Sequence, residues 1–193
     1  MNEQKRVFIA IDISDEARRK IAAYIGDLRR NTDTASIKFE RPEKLHITLK
    51  FMGDIDHENL QKVVSAVDLI ADRYDSLELE VARTGVFPSA AKPRILWLGL
   101  NGGPLASIAK DVEEASEPLG FPSEKREYKP HLTIGRVRQG GNVRSTVEAH
   151  LANQFSSKPF TVSRLSIYES RLLRTGSVYS LISEHPLAKT SKS

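Results

Sequence analysis

Two short segments carry residue types that could do chemistry: His46-Ile47-Thr48-Leu49 and His131-Leu132-Thr133-Ile134, about 85 residues apart. In an extended strand, alternate side chains share a face. His46 and Thr48 then lie on one face, as do His131 and Thr133, while the apolar residues between them anchor the other. Imidazole titrates near pH 6.5, so two of them can divide proton transfer. One, neutral, takes a proton from water; the other, protonated, gives one to a leaving oxygen. The threonine hydroxyls can donate hydrogen bonds to phosphoryl oxygens as negative charge builds. No carboxylate is needed at the centre, which suits an anionic substrate. Opening a cyclic phosphodiester, with water attacking opposite the departing oxygen, asks for groups of this kind. One histidine on a strand is ordinarily a structural or surface residue. A second copy at a matching point of a repeated pattern singles out this pair.

The elements that must position these groups are legible in the periodicity. Arg6 to Asp12 is rich in β-formers and reads as a buried strand. Ser14 offers an N-cap, and Ala17, Ile21, Ile25 and Leu28 recur at helical spacing over about 15–30. Residues 37–40 form a short strand, and Arg41-Pro42 breaks any helix. The strand beginning at His46 alternates until Gly53 and Asp54 turn the chain. A second helix covers about 57–74. Strands follow at Leu77–Val81 and Arg94–Leu100. A third helix opens at Gly102-Gly103-Pro104 and ends before Gly120. After the strand that starts near His131, Val143, Val147, Leu151 and Phe155 give a fourth helix. Two strands close the chain, at 160–169 and 177–183. Helices alternate with strand pairs, so the class is α+β, and no long linker separates independent domains. Each His-x-Thr segment follows a proline region and precedes a helix, which suggests an internal duplication. The expected organisation is one bilobal domain over 1–185 with a frayed polar tail over 186–193.

The bulk numbers set limits. A chain of 193 residues can bury a sizeable core without disulfides or metals. The absence of cysteine excludes disulfides, thiolate metal sites and a cysteine nucleophile, and fits a cytoplasmic protein. Neither a signal-peptide core nor a membrane span is present in the apolar runs. The net charge of +4 fits a phosphate-bearing ligand without selecting one. By strand alternation Lys50 shares the histidine face and could attract phosphate; a solvated lysine is the other reading. His57 reads as surface, His150 as an exposed helix residue, and Trp97 as core. The charged residues form no cluster with metal-ligand spacing.

The chain resembles the two-histidine phosphoesterases, and within them the bacterial and archaeal RNA 2′,3′-cyclic phosphodiesterases, historically called 2′-5′ RNA ligases. The resemblance is carried by Arg6–Ile11, by Pro42-Glu-Lys-Leu-His-Ile-Thr-Leu-Lys-Phe-Met-Gly53, by Gly85-Val-Phe-Pro88, by Arg94-Ile-Leu-Trp97 and by Lys129-Pro-His-Leu-Thr-Ile-Gly-Arg136. Leu172, Gly176 and Tyr179 fit as well. It implies two pseudo-twofold-related lobes, each an antiparallel sheet with helices outside, facing each other across a cleft. It implies metal-independent hydrolysis of an RNA or nucleotide 2′,3′-cyclic phosphate to a 2′-phosphate by a monomer without cofactor or membrane attachment. His46 would be the proton donor to the leaving 3′ oxygen and His131 the proton acceptor from water, with Thr48 and Thr133 binding phosphate.

In similar enzymes the residues at Phe51 and Arg136 sandwich the nucleobase. Each stands five residues after its histidine, and an odd offset on a regular strand points away from the cleft. The strand must bend near Met52-Gly53 and Gly135 for them to reach it; otherwise they are a core phenylalanine and a surface arginine. Relatives often carry an aromatic-Val-Pro run where this chain has Lys38-Phe39-Glu40-Arg41-Pro42, and a larger residue where it has Gly135. Both departures bear on substrate fit. Two other functions share the same residues: a ligase forming 2′-5′ bonds, and a nucleotide- or RNA-binding module without turnover.

Overall fold

Alternating apolar residues build the strands, and the strands form two antiparallel sheets. The computed structural model describes residues 4–138, 140–174 and 176–188. Numbered in chain order, the first sheet contains β1 (Lys5–Asp12), β3 (His46–Ile55), β8 (Arg164–Leu173) and β9 (Gly176–Pro186), in the spatial order β3-β1-β8-β9. The second contains β2 (Ile37–Phe39), β4 (Leu77–Phe87), β5 (Ile95–Asn101), β6 (His131–Val137) and β7 (Phe160–Val162), in the order β2-β6-β5-β4-β7.

Apart from β2, the two sheets share one plan. Each is led by a strand that starts at a histidine. Beside it lies the strand that opens the same half of the chain, β1 for β3 and β5 for β6. The third strand comes from the other half: β8 beside β1, and β4 beside β5. The helices α1 (Asp15–Asn31), α2 (His57–Ala71), α3 (Leu105–Ser116) and α4 (Arg144–Ala152) are exchanged in the same way. From the first half, α1 packs with α4 against the second sheet; from the second half, α3 packs with α2 against the first. Two lobes of the expected kind are present, and each is assembled from both halves of the chain.

Local chemistry accounts for the helix starts. The Ser14 hydroxyl accepts from the Ala17 amide (3.2 Å), with Asp15 and Glu16 in the first turn. Asp56 does the same for Asn59 at 2.8 Å. Ile47, Leu98, Leu132 and Ile134 are fully buried on the sheet faces opposite the histidines.

Four expectations are corrected. β4 runs on to Phe87 through a bulge at Arg83, six residues past Val81. α4 stops at Ala152, so Leu151 is exposed and Phe155 is buried beyond the helix. Its inner face is Thr146, Val147 and His150, because the two polar residues have partners. Thr146 donates to the Asp33 carbonyl, and His150 is fully buried rather than exposed. The tail is anchored at its start: Pro186 pairs with Arg164, and the Leu187 and Ala188 amides bond to Ser163 and Tyr74. Residues 189–193 lie outside the described residues. No helix among the described residues is long and apolar enough to cross a membrane.

Candidate active site

The two histidine strands repeat the same local geometry. His46 bonds through Nδ1 to the Lys44 carbonyl at 2.7 Å, and His131 bonds through Nδ1 to the Lys129 carbonyl at 2.6 Å. A carbonyl can only accept, so Nδ1 carries the hydrogen in both rings. In the neutral form this leaves Nε2 as the basic nitrogen. Thr48 and Thr133 sit two residues on, half-buried like their histidines.

A β-bulge then follows at the same offset in both strands. In β3, Lys50 faces Ile9 and Thr48 faces Ala10, so Leu49 is the extra residue. In β6, Gly135 faces Leu96 and Thr133 faces Trp97, so Ile134 is the extra residue. One inserted residue reverses the alternation beyond it. That removes the objection to Phe51 and Arg136: an odd offset across a bulge returns to the histidine face. Phe51 is 59% exposed, with its ring 5.6 Å from that of Phe8. Arg136 is exposed and its Nε lies 3.3 Å from Glu40. The same bulge sends Lys50 the other way. Its ammonium is buried and donates to Glu113 (2.5 Å) and to the Pro122 carbonyl (3.0 Å), so Lys50 is not on the histidine face.

Aromatic rings hold both imidazoles. Phe8, buried in β1, is 4.7 Å from the His46 ring and also touches Phe51, Tyr168 and Tyr179. Tyr179 meets His46 edge-on at 5.3 Å. On the other side, Phe87 meets His131 edge-on at 5.1 Å, and Trp97 lies 6.5 Å away. Trp97, expected in the core, is half-buried. It faces the histidine side, over Gly85, where a Cβ would stand 2.0 Å from its ring. Its buried indole N–H has no partner among the described residues.

The lobes meet along these strands. β3 packs against β6, and the Tyr128 hydroxyl donates to the Thr48 carbonyl at 3.1 Å. The Glu40 amide bonds to Ile134, the Glu40 carboxylate holds Arg136, and both charges reach Tyr179 beside His46. Tyr179, Glu40 and Arg136 thus connect the surroundings of His46 to the β6 strand that begins at His131.

Burial lowers the pKa of both imidazoles from the ordinary value, but their charged neighbours differ. Around His46, the Lys44 carbonyl and the Asp12 and Glu40 carboxylates oppose the lowering, while the Arg18 guanidinium adds to it. Around His131, the Lys129 carbonyl opposes it and Arg136 adds to it, with no carboxylate contributing among the described residues. Asp12, Phe8 and Trp97 are site residues that sequence reasoning misses. Phe8, Ala10 and Asp12 do alternate in the first strand, a pattern that marks a shared face once that strand is placed beside His46.

Comparison with known proteins agrees with this architecture. The family model for LigT-like phosphoesterases matches residues 11–97 and 99–179. The chain belongs to the LigT-like phosphoesterases. Within this two-histidine family, a Methanocaldococcus jannaschii relative named RNA 2′,3′-cyclic phosphodiesterase is 32% identical over 93% of this chain and 99% of its own. A Methanothermobacter thermautotrophicus protein of the same name is 33% identical over 90% and 94%. Among solved LigT-fold structures, one from Thermus thermophilus superposes with a TM-score of 0.79 at 21% identity, covering 96% of this chain and 99% of the other. Escherichia coli LigT, crystallised with 3′-AMP, gives 0.74 at 21% identity with the same coverage.

Proposed function

We propose that this LigT-like phosphoesterase hydrolyses RNA or nucleotide 2′,3′-cyclic phosphates to 2′-phosphomonoesters, with His46 as general acid and His131 as general base. Water attacks phosphorus and gives a proton to Nε2 of His131. The P–O3′ bond breaks, and the 3′ oxygen takes a proton from Nε2 of His46. Thr48 and Thr133 donate to the non-bridging oxygens, where charge accumulates. Phe51 and Arg136 take the base between them, ring on one face and guanidinium on the other.

The observation that carries this reading is the repeated geometry with unequal electrostatics. Both rings are fixed through Nδ1 in the same way and burial lowers both pKa values, but at His46 the Asp12 and Glu40 carboxylates oppose the lowering, against Arg18, while at His131 Arg136 adds to it. An acid and a base of this kind need unlike surroundings. Support also comes from the relatives named RNA 2′,3′-cyclic phosphodiesterase. No group of three or more metal-ligating side chains occurs among the described residues, and the scheme calls for none.

The test is incubation of the purified protein, in EDTA, with a nucleoside 2′,3′-cyclic phosphate, with the product isomers resolved by chromatography. The expected product is the 2′-phosphate, absent with His131→Ala. A 3′-phosphate product, or activity that EDTA abolishes, overturns the scheme.

A further inference from the structure

We propose that Asp12 is a positioning residue that favours the protonated, proton-donating form of His46 and so breaks the symmetry of an otherwise duplicated site. The inference rests on the acid and base assignment above.

Asp12 is the direct cross-strand partner of His46. Such partners have Cβ atoms about 4.5–5.5 Å apart on the same face. The equivalent partner of His131, on β5, is Gly99. The two sheets share their strand order, their histidine anchoring and their bulges, yet differ here. No carboxylate can be accommodated at Gly99, because a Cβ there would stand 2.9 Å from the Ala82 carbonyl oxygen. The asymmetry is therefore built into the packing of the second sheet.

Asp12 is also held for the purpose. Ser166 donates to one oxygen at 2.9 Å, and the Tyr168 hydroxyl lies 2.9 Å from both. Tyr168 stacks on Phe8, and Phe8 lies against His46, so carboxylate and imidazole are fixed in one cluster. These donors are hydroxyls, which stabilise a carboxylate without cancelling its charge. Burial, and next the Asp12 charge, push the Tyr168 hydroxyl up to about 12, so it remains a donor. Glu40, the other carboxylate near His46, is paired with Arg136. The remaining groups around the ring are the Arg18 guanidinium, bonded to the Leu45 carbonyl just before His46, the Lys44 carbonyl and the Tyr179 ring. Asp12 is thus the carboxylate beside His46 that no cation neutralises among the described residues.

The experiment is an NMR titration of the His46 and His131 ring protons in wild type and Asp12→Asn, with the pH–rate profile measured on the same samples. Asparagine keeps the shape and can still bond both hydroxyls. The titration midpoint of His46 should fall while that of His131 stays. The high-pH limb of the rate should move to lower pH, because the acid loses its proton earlier, and the low-pH limb should not move. Asp12→Glu should restore part of the shift. If the amide disturbs folding, Asp12→Ser carries the same readout. An unmoved His46 midpoint in either folded variant overturns the role of Asp12. A shifted midpoint with an unmoved high-pH limb leaves Asp12 acting on His46 and rejects His46 as the acid. The two failures are thereby separated.

Discussion

The strands β3 and β6 are alike where the chain repeats itself and unlike where the chemistry must be directional. Each begins with a histidine tied by Nδ1 to a carbonyl two residues back, and each carries a threonine two residues on and a bulge one residue later. Beyond the bulge, one presents a phenylalanine and the other an arginine. Opposite the histidine, one has Asp12 and the other Gly99. Repetition supplies two titratable groups at fixed orientation; in the proposed mechanism, divergence of their neighbours gives each a separate task. A backbone that already aims one imidazole will aim two, and single side chains then tune them.

The harshest test of the likeness is removal of each imidazole. His46→Ala and His131→Ala should each lower kcat/KM by about 10²–10⁴-fold, the range for a general acid or base. The double variant should be little worse than the more damaged single one, because the pair acts as a unit. Steady-state kinetics on a nucleoside 2′,3′-cyclic phosphate reads this directly. A loss confined to one histidine would break the comparison. Thr48→Val and Thr133→Val come next, with about 10²-fold expected in kcat for each lost donor. Unequal losses would mean that one threonine carries the phosphate alone.

The divergence is tested beyond the bulges. Phe51→Ala should raise KM by roughly tenfold for a nucleoside substrate, given about 1–3 kcal/mol for stacking one base. It should leave the pH limbs in place. Arg136→Gln should weaken binding as well, but it also removes the cation that biases His131 toward its neutral form. The His131 pKa then rises, a higher pH is needed to free its base, and the low-pH limb moves up. If Phe51 and Arg136 shift the profile alike, their difference is not electrostatic.

Much of this is readable from the sequence, and the remainder has identifiable causes. The paired motifs, the helix caps and the α+β class follow from local spacing and residue type. The bulges do not: Leu49 and Ile134 are ordinary apolar strand residues, and their displacement depends on the register with β1 and β5. Without the bulges, strand alternation puts Lys50 on the wrong face and leaves Phe51 and Arg136 undecided. The exchange of strands and helices between lobes depends on contacts far apart in the chain. His150 is misread as exposed for the same reason, since its hydroxyl partner, Tyr24, lies 126 positions away.

His150 offers the smallest and sharpest contrast with the two site histidines. Its Nε2 faces the Gly85 and Trp97 carbonyls at 3.0 and 3.2 Å, and must be the donor. Its Nδ1, 2.7 Å from the Tyr24 hydroxyl, is then the acceptor. Both nitrogens are satisfied by the protein, so this ring ties α1 and α4 to β4 and β5 and has no nitrogen left for chemistry. Burial lowers its pKa against the two carbonyls. A depressed folded-state value means that the unfolded chain binds the proton more tightly. The stability contribution is therefore present above about pH 6.5 and is lost as pH falls through the folded value. Tyr24→Phe should cost about 1–3 kcal/mol by urea denaturation at neutral pH, because it strands a buried acceptor. It should leave kcat near wild type. A hydroxyl can also accept, so in the wild type Tyr24 can turn to take the hydrogen of a protonated Nδ1, and the deficit of the variant should not shrink as the pH is lowered. A variant as stable as wild type at neutral pH would mean that the Tyr24 hydroxyl does not serve Nδ1, and the tie between α1 and the buried ring would have to be dropped.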